Sequence, residues 1–222
     1  MKVGLISDVH GNRVALETVL EEMPPVDKLL CAGDVVGYNP WPADCVDELR
    51  EREVPTVMGN HDAAVAGDAP FRFNGMARAG VEHAKEQLSE GQLEWLADLP
   101  AERTECDGRI KLVHGHPDDP DRYTRYTYPE EFSARMLGDE DVLVLGHTHV
   151  QGVRKYAEGI VVNPGSVGQP RDGDPRAGYA VVDLEAMTVD TGRVEYDVEA
   201  VQEAVREAGL PERIGTRLER GK

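Results

Sequence analysis

The chain has 222 residues, a length at which a single domain buries a substantial core, and we expect residues 1–222 to form one domain. Its 42 acidic and 24 basic residues give a net charge of -18 without a Lys/Arg cluster, which argues against nucleic-acid binding. No run of 18 apolar residues occurs, and Met1 leads directly into a predicted strand. The sequence therefore disfavours a membrane span or a cleaved signal and favours a cytoplasmic protein.

Five short apolar runs in the first two thirds of the chain each lead into polar residues. The runs are residues 2–7, 28–32, 55–58, 110–113 and 141–145. Uninterrupted apolar runs of this length are typical of strands buried on both faces. We therefore expect the polar residues to meet at the carboxyl edge of one sheet, where open α/β folds place their sites.

Amphipathic segments separate the first of these strands. Residues 13–20, which follow Asn12, and residues 43–52 predict crossover helices, which gives a βαβαβ order and a mostly parallel sheet. Residues 63–98 predict a helical insertion, in which we expect Ser89 to be a helix N-cap. We expect this insertion to form a cap over one side of the site.

The pattern changes after Gly152 to shorter, alternating strands. These strands are residues 152–156, 159–162, 178–183 and 188–194, and they predict an antiparallel or mixed second sheet packed on the first. Residues 198–208 predict an amphipathic helix, and the polar composition of residues 212–222 favours disorder. The three cysteines lack a CxxC spacing and are expected to be buried free thiols.

Six of the seven histidines lie in short segments beside Asp, Asn and Gly. The segments are Asp8-Val9-His10, Gly59-Asn60-His61-Asp62, His114-Gly115-His116 and Gly146-His147-Thr148-His149, and Gly33-Asp34 lies between the first two. Neutral imidazoles and carboxylates suit divalent first-row metals, and the absence of a cysteine from these segments argues against a thiolate site.

One carboxylate can bridge two ions. In a two-metal site roughly 3.5 to 4 Å wide, the ions hold the attacking and leaving oxygens of an in-line displacement, and bound water ionises near pH 7. Phosphate ester hydrolysis is the reaction that this geometry suits.

The run of motifs D-x-H, GD, GNHD, H and GHxH resembles the calcineurin-like metallophosphoesterase superfamily, over residues 1 to about 183. Within it, residues 33–38 and 163–168 are similar to a small prokaryotic branch of phosphodiesterases and phosphatases. The resemblance implies an α/β fold, a four-layer αββα sandwich with two mixed sheets and the metal site at the C-terminal ends of the strands.

The resemblance also implies a role for each motif residue. The first metal would be held by Asp8, His10, Asp34 and His149. Asp34 would bridge to a second metal completed by Asn60, His114 and His147. The catalytic residue would be His61, beside the leaving group, and a hydroxide shared by the ions would be the nucleophile. The cofactors would be two divalent metal ions, with Mn favoured and Fe, Co, Ni or Zn as alternatives.

One departure from the superfamily pattern concerns His61. In its protein phosphatases the second motif is GDxxD, and the second Asp orients the catalytic His, whereas this chain has Gly37 there. The residue after His61 is Asp62 instead of the Glu common in those enzymes. Both changes argue against a protein phosphatase and leave the group that orients His61 unassigned.

Four further residues have weaker signals. We expect His116 to have a loop or supporting role and His83 to lie on a helix face without a chemical role. Arg171 and Arg176 lie in a loop rich in Pro and Gly, where they are candidates to contact a substrate phosphate. Solvated charges in a loop are the alternative for these two arginines.

Three functions remain open at this point. The first is a hydrolase of small phosphodiesters or phosphomonoesters, with a small phosphoester or nucleotide as its substrate. The second is a hydrolase of the phosphoanhydrides in dinucleoside polyphosphates, an activity of similar prokaryotic proteins. The third is a non-catalytic protein-interaction module, like the retromer subunit that shares this fold and has lost part of its metal set.

The charge also bears on the environment of the protein. The basic residues divide into 18 Arg and 6 Lys, and an acidic, lysine-poor composition is typical of proteins from a high-salt cytoplasm, so we expect a halophilic protein. The alternative is an acidic mesophilic protein whose charge keeps it soluble.

Thermal unfolding in a series of KCl concentrations tests the halophilic interpretation. The Tm is expected to rise with KCl, because salt screens the repulsion among the excess carboxylates. A Tm that is already maximal in dilute buffer contradicts the interpretation.

Overall fold

Two mixed β-sheets pack face to face in the computed structural model, which describes residues 1–67 and 73–222. The strands are β1 (Lys2–Ile6), β2 (Lys28–Cys31), β3 (Glu102–Glu105), β4 (Ile110–Val113), β5 (Val142–Val144), β6 (Gly152–Lys155), β7 (Ile160–Asn163), β8 (Ala177–Asp183) and β9 (Thr188–Val194). The α-helices are α1 (Arg13–Glu22), α2 (Pro42–Glu51), α3 (Asn60–Ala66), α4 (Gly75–Gln87), α5 (Glu90–Ala97), α6 (Val198–Glu207) and α7 (Arg213–Thr216). No helix among the described residues is long and apolar enough to cross a membrane.

The first sheet has the strand order β2-β1-β8-β9, and the second has the order β3-β4-β5-β7-β6. In the first sheet β1 pairs in parallel with β2 and antiparallel with β8. In the second, β4, β5 and β7 are parallel, and antiparallel strands flank them on both sides. Each sheet therefore brings several strand carboxyl ends to one edge.

Alternate residues of the strands face the two sides of each sheet. Val3 and Leu5 of β1 belong to the apolar cluster between the sheets, whereas Ile6 packs with the helices on the other side. All three side chains are fully buried. Strands that are covered on both faces are uniformly apolar, which explains the short apolar runs in the sequence.

The outer layers differ between the two sheets. Helices α1 to α5 cover the first sheet, whereas the described residues that cover the second are short 3-10 helices, Pro129–Glu131 and Ala134–Met136, with Phe132 and Met136 packed on the strands. The expected α/β fold with two mixed sheets is confirmed. The fourth layer, however, contains 3-10 turns in place of the expected α-helix.

The distribution of strands between the sheets differs from the sequence-based expectation. We expected the early strands to form one sheet and the strands after Gly152 to form the other. Instead β8 pairs with β1, so the two early strands share a sheet with the two last, while β4 and β5 lie in the second sheet. Residues 55–58 do not extend as a strand, because only Thr56 bridges to Cys31. The helices at residues 13–22, 42–51 and 198–207 match the predicted segments.

The helical insertion expected at residues 63–98 contains most of α3 and the whole of α4 and α5, and Ser89 caps α5 as predicted. The part of this prediction that concerns residues 68–72 lies outside the described residues.

The C-terminal tail, which we expected to be disordered, is folded. Residues 213–216 form α7 and residues 218–220 form a 3-10 helix. Ile214 and Leu218 are fully buried beside Val201 of α6 and Tyr38. Burial of these two apolar side chains stabilises the folded tail, although the composition of the tail is mostly polar.

Two glycine substitutions test the packing of the helices that flank the site. A Cβ at Gly80 of α4 would lie 2.1 Å from the main-chain nitrogen of Tyr38, whereas no atom lies within 4 Å of one at Gly91 of α5. Gly80→Ala should lower the free energy of unfolding by roughly 1–3 kcal/mol through overpacking. Gly91→Ala should leave it unchanged or raise it by up to about 1 kcal/mol.

The measurement is denaturant unfolding of chelator-treated proteins, so that metal binding does not contribute. Equal stability of the Gly80→Ala variant and the unsubstituted protein would show that α4 does not pack closely against the loop of Tyr38.

Candidate metal centre

Two groups of buried donor side chains meet where the carboxyl ends of β1, β2, β4 and β5 converge. In each group the donor atoms all lie within 4.8 Å of one another, and the groups are Asp8, His10, Asp34 and His149, and Asp34, His114 and His147. Asp34 belongs to both groups. The structure thus brings six of the predicted ligands into two adjoining donor sets joined by one carboxylate.

The distances are shortest around the first set. His10 Nε2 lies 3.1 Å from His149 Nε2 and 3.5 Å from Asp34 Oδ2, and His149 Nε2 lies 3.2 Å from Asp8 Oδ1. In the second set His114 Nε2 lies 3.4 Å from Asp34 Oδ2. Asp34 Oδ2 is therefore close to a nitrogen of each set.

Main-chain carbonyls orient the imidazole rings. The Nδ1 atoms of His10, His114 and His149 lie 3.0, 2.7 and 2.6 Å from the carbonyl oxygens of Val36, Ala32 and Gln169. Because a carbonyl oxygen only accepts, each Nδ1 donates its proton and each Nε2 faces the centre. His147 is oriented the other way round, with Nε2 at 3.2 Å from the Thr124 carbonyl, which leaves Nδ1 for the centre.

Burial keeps most of these imidazoles neutral. It lowers the pKa of His147 to about 3 and also lowers the pKa of His10 and of His149. Burial acts in the same direction on His114, but the carboxylates of Asp34 and Asp8 outweigh it and raise the pKa of His114 to about 9. Neutral imidazoles are the form that binds metals, and only His114 would have to release a proton.

The centre contains buried polar atoms that lack a hydrogen-bond partner among the described residues. They are Asp8 Oδ1, Asn60 Oδ1 and His114 Nε2. In addition, the Nε2 atoms of His10 and His149 face each other although both rings donate from Nδ1. Unpaired buried acceptors are costly, and divalent cations between them would satisfy all of these atoms. The oxygen and nitrogen donor set fits first-row divalent metals.

Asn60, the seventh predicted ligand, lies at the same place. It lines a cavity of about 90 Å³ together with Asp34, His147 and His149. Its amide oxygen is one of the unpaired atoms of the centre. Asn60 therefore lies beside the second donor set, to which the family resemblance assigns it.

The backbone adopts a left-handed conformation at five of the six clustered residues. The φ angles are 53° at Asp8, 49° at His10, 54° at Asp34, 67° at His147 and 59° at His149. Side chains other than Gly adopt this region at a cost, and such residues concentrate at functional sites. At His147 and His149 this conformation provides the bend that lets two alternate residues face one centre.

The absence of a side chain at Gly146 lets the chain pass close to a neighbouring segment just before this bend. A Cβ at this position would lie 2.1 Å from Ser7 Oγ, so the GHTH segment passes close to the segment after β1. Asn163, in the motif at residues 163–168, donates from its side chain to the Gly146 carbonyl at 2.7 Å. Ser166 of the same motif donates to the Asp8 carbonyl at 2.7 Å. The motif at residues 163–168 therefore holds the backbone of the segments that carry Asp8 and His147.

Asp62 holds the loop that carries Asp34. Its Oδ2 accepts from the main-chain nitrogens of Asp34 and Gly59 at 2.8 and 3.0 Å, and its Oδ1 accepts from those of Val35 and Val36 at 2.9 and 3.2 Å. Burial and the neighbouring Asp34 raise the pKa of Asp62 to about 7, whereas the main-chain hydrogen bonds that it accepts favour the carboxylate. The residue that the sequence left without a role is thus a support of the central ligand.

His61 is held by aromatic rings and by Asp34. Its main-chain nitrogen donates to Asp34 Oδ1 at 2.8 Å, and its ring centroid lies 4.8 Å from that of Tyr38 and 4.7 Å from that of Phe73. A Cβ at residue 37 would lie 2.4 Å from His61 Nδ1. Gly37 therefore leaves room for the imidazole at the place where the protein phosphatases have an Asp.

The remaining predicted residues divide into those inside and those outside the cavity. Arg171 lines it, with its guanidinium 5.5 Å from the Tyr38 ring. Arg176 lies outside its lining and pairs with Asp174 at 2.7 Å. His116 accepts at Nδ1 from the Asp118 nitrogen, and His83 of α4 lies 3.1 Å from the Pro40 carbonyl, so neither joins the donor sets.

Three aromatic side chains at the cavity have no clear sequence signal. Tyr38 and Phe73 enclose His61, and Tyr126 stacks on His147 at 3.9 Å between ring centroids. Tyr38 is the last residue of the motif at residues 33–38, whereas Phe73 and Tyr126 lie in connecting segments without a periodic pattern. Membership of that motif is the sequence signal that could have pointed to Tyr38.

Asp62→Asn tests the support of the central ligand. The substitution replaces one acceptor oxygen by an amide donor, so the Asp34 loop should shift and metal affinity should fall by roughly 10 to 100-fold. Calorimetric titration with Mn²⁺ measures the affinity, and Asp98→Asn at the exposed end of α5 is the matched control. Equal affinity of the two variants would exclude the supporting role.

Comparison with known proteins identifies the family. A model of the calcineurin-like phosphoesterase superfamily domain matches residues 1–187. An uncharacterised Methanocaldococcus jannaschii protein, MJ0912, is 31% identical and covers 97% of this chain and 96% of its own length. The Escherichia coli phosphodiesterase YfcE is 28% identical over 85% of this chain and 91% of its own length.

Solved structures agree with this result. A metallophosphoesterase from Sphaerobacter thermophilus superposes with a TM-score of 0.86 at 37% identity, covering 100% of this chain and 99% of its own. The resemblance inferred from the motifs is thereby confirmed. The chain belongs to the calcineurin-like phosphoesterase superfamily.

Proposed function

We propose that this chain is a metal-dependent phosphoester hydrolase that uses a dinuclear centre to cleave a small phosphodiester or phosphomonoester. The observation that carries the proposal is the pair of buried donor sets that share Asp34. The superfamily assignment and the phosphodiesterase relative support the same class of reaction.

Each of the two donor sets would hold one metal ion. Asp8, His10, Asp34 and His149 would hold one ion, and Asp34, Asn60, His114 and His147 would hold the other. Two such ions would supply Lewis-acid stabilisation of the phosphoryl oxygens and lower the pKa of a water molecule to near 7. The mixture of carboxylate, amide and imidazole donors suits first-row divalent ions, and Mn²⁺, which the family resemblance favours, is the ion that we propose.

His61 would act directly on the substrate. Burial lowers the pKa of His61 to about 4, so the imidazole is neutral at pH 7. Its Nδ1 is buried and has no hydrogen-bond partner among residues 1–67 and 73–222, so Nε2 would be the nitrogen that faces a phosphoryl or leaving-group oxygen. We propose that this nitrogen carries the proton and donates a hydrogen bond there. The rings of Tyr38 and Phe73 would orient it in place of the missing Asp.

The size and charge of the cavity support a small substrate. Its volume of about 90 Å³ suits a phosphoryl group, and Arg171 supplies a cation at its wall. The net charge of -18 disfavours nucleic-acid polymers, whereas two divalent ions would make the mouth of the centre attractive to a small anion.

Turnover and metal content of three variants test the proposal. The protein loaded with Mn²⁺ should bind two ions per chain and hydrolyse bis(4-nitrophenyl) phosphate. Asp34→Asn should lose both metal and activity, because it alters the ligand shared by both sets. His61→Ala should keep the metal and lower kcat by roughly 10² to 10⁴-fold.

His83→Ala is the matched control, since this histidine lies outside the donor sets, and its activity should equal that of the unsubstituted protein. Diadenosine tetraphosphate is assayed in parallel. Faster turnover of this anhydride would assign phosphoanhydride hydrolysis instead. Absence of turnover on all substrates with Mn, Co, Ni and Zn would contradict an enzyme and favour an interaction module.

A further inference from the structure

A second cavity, of about 540 Å³, is lined mainly by the C-terminal segment. Its lining comprises Asn74, Met76, Arg213, Thr216, Arg217, Glu219, Arg220 and Lys222. We call it the C-terminal cationic cavity, because its described lining contains four basic side chains and one Glu side chain. This is a local concentration of positive charge in a chain whose net charge is -18.

The C-terminal cationic cavity adjoins the metal centre. Asn74 lines both cavities. The two walls are also connected, because the main-chain nitrogen of Gly173 donates to the Gly221 carbonyl at 3.0 Å. The packing of Ile214 and Leu218 in one cluster with Tyr38 fixes the segment beside the site.

Within residues 1–67 and 73–222, none of the basic side chains of this cavity forms an ion pair with an Asp or Glu side chain, and neither does Arg171 beside it. Arg217 Nε instead donates a hydrogen bond to the main-chain oxygen of Lys222, so the proposed anion site depends chiefly on Arg213, Arg220 and Lys222. By contrast, Arg176 pairs with Asp174, and Arg193 pairs with Asp172. Glu219 accepts a hydrogen bond from Gln202 at 2.7 Å. Unpaired cations gathered around a concave surface attract anions.

The volumes of the two cavities also suggest that the cationic cavity receives part of a substrate. Ligand sites of small-molecule enzymes usually have volumes of roughly 300 to 1,000 Å³. The metal cavity, at about 90 Å³, accommodates little more than a phosphoryl group, whereas the adjoining C-terminal cationic cavity falls within this range. The rest of a substrate bound at the metal centre would extend into the cationic cavity.

We propose that the C-terminal cationic cavity binds a further phosphate group of the substrate, distinct from the phosphoryl group that is hydrolysed. The substrate class is accordingly a phosphoester with at least one additional phosphate. Guanidinium groups match phosphate oxygens in pairs, which suits the three arginines of the cavity. The family model ends at residue 187, so this specificity comes from a segment that lies beyond it. The inference rests on the proposed hydrolase function.

Anion binding by the chelator-treated protein tests the cavity without turnover. The probe is inorganic pyrophosphate, titrated calorimetrically. Arg213→Gln and Arg220→Gln, at exposed positions where folding is not at risk, should each weaken binding by about tenfold. Arg217→Lys keeps the charge and should weaken binding less than Arg217→Gln. Arg206→Gln, an exposed change of the same charge on α6 outside the cavity, should bind like the unsubstituted protein.

Substrate preference is the second readout. Uridine 3′-(4-nitrophenyl phosphate) is compared with the same diester carrying a 5′-phosphate, because the bond that is cleaved is identical in both. The unsubstituted protein and Arg206→Gln should show a KM about tenfold lower or more for the phosphorylated diester. The double variant Arg213→Gln and Arg220→Gln should lose this preference.

The two measurements distinguish failure of the phosphate-binding proposal from failure of the hydrolase proposal. Equal KM values for both diesters, with pyrophosphate binding that none of the arginine substitutions changes, overturn the cavity as a phosphate site and leave the hydrolase function intact. Failure to hydrolyse either diester counts against the hydrolase function, while the pyrophosphate titration still decides whether the cavity binds phosphate.

Discussion

Asp34 has to present one carboxylate to two donor sets at once, and a second buried carboxylate holds it there. Asp62 accepts hydrogen bonds from the main-chain nitrogens of residues 34, 35 and 36 and from that of Gly59. The other oxygen of Asp34, Oδ1, accepts from the His61 nitrogen, so the loop after β2 and the start of α3 are tied together. A buried charge is tolerable only when it is satisfied in this way. These hydrogen bonds therefore fix the position of the Asp34 carboxylate.

The remaining donors reach this point because two sheets meet at their carboxyl edges. Asp8 follows β1 in one sheet, and His114 and His147 follow β4 and β5 in the other. Left-handed backbone conformations at Asp8, Asp34 and His147 turn the chain sharply after β1, β2 and β5. Such conformations cost free energy that the packed sheets have to offset. The apolar layer between the sheets thus stabilises a centre to which it contributes no ligand.

The charges of the molecule are distributed unevenly. The net charge of the chain is -18, yet arginines gather where the C-terminal segment meets the loop of Arg171. At the donor sets, burial lowers the pKa of His10, His147 and His149 and keeps these imidazoles in the neutral form that binds cations, while the two carboxylates of Asp8 and Asp34 raise the pKa of His114. An anion approaching this face would meet cationic side chains at the same place as the proposed metal centre, while the rest of the surface would repel it.

The sequence by itself predicted which side chains gather in the two candidate donor sets, the positions of most strands and helices, and the family. These features are local or carried by motif spacing, because an apolar run marks a strand and the polar residues after it mark the edge of a sheet. Only the tertiary structure decided which sheet each strand joins, that Asp62 supports Asp34, that aromatic rings hold His61, and that residues 213–220 are folded beside the site. Strand pairing, burial and ring packing depend on contacts between residues far apart in the chain, such as β1 with β8. No local pattern of residues encodes such contacts.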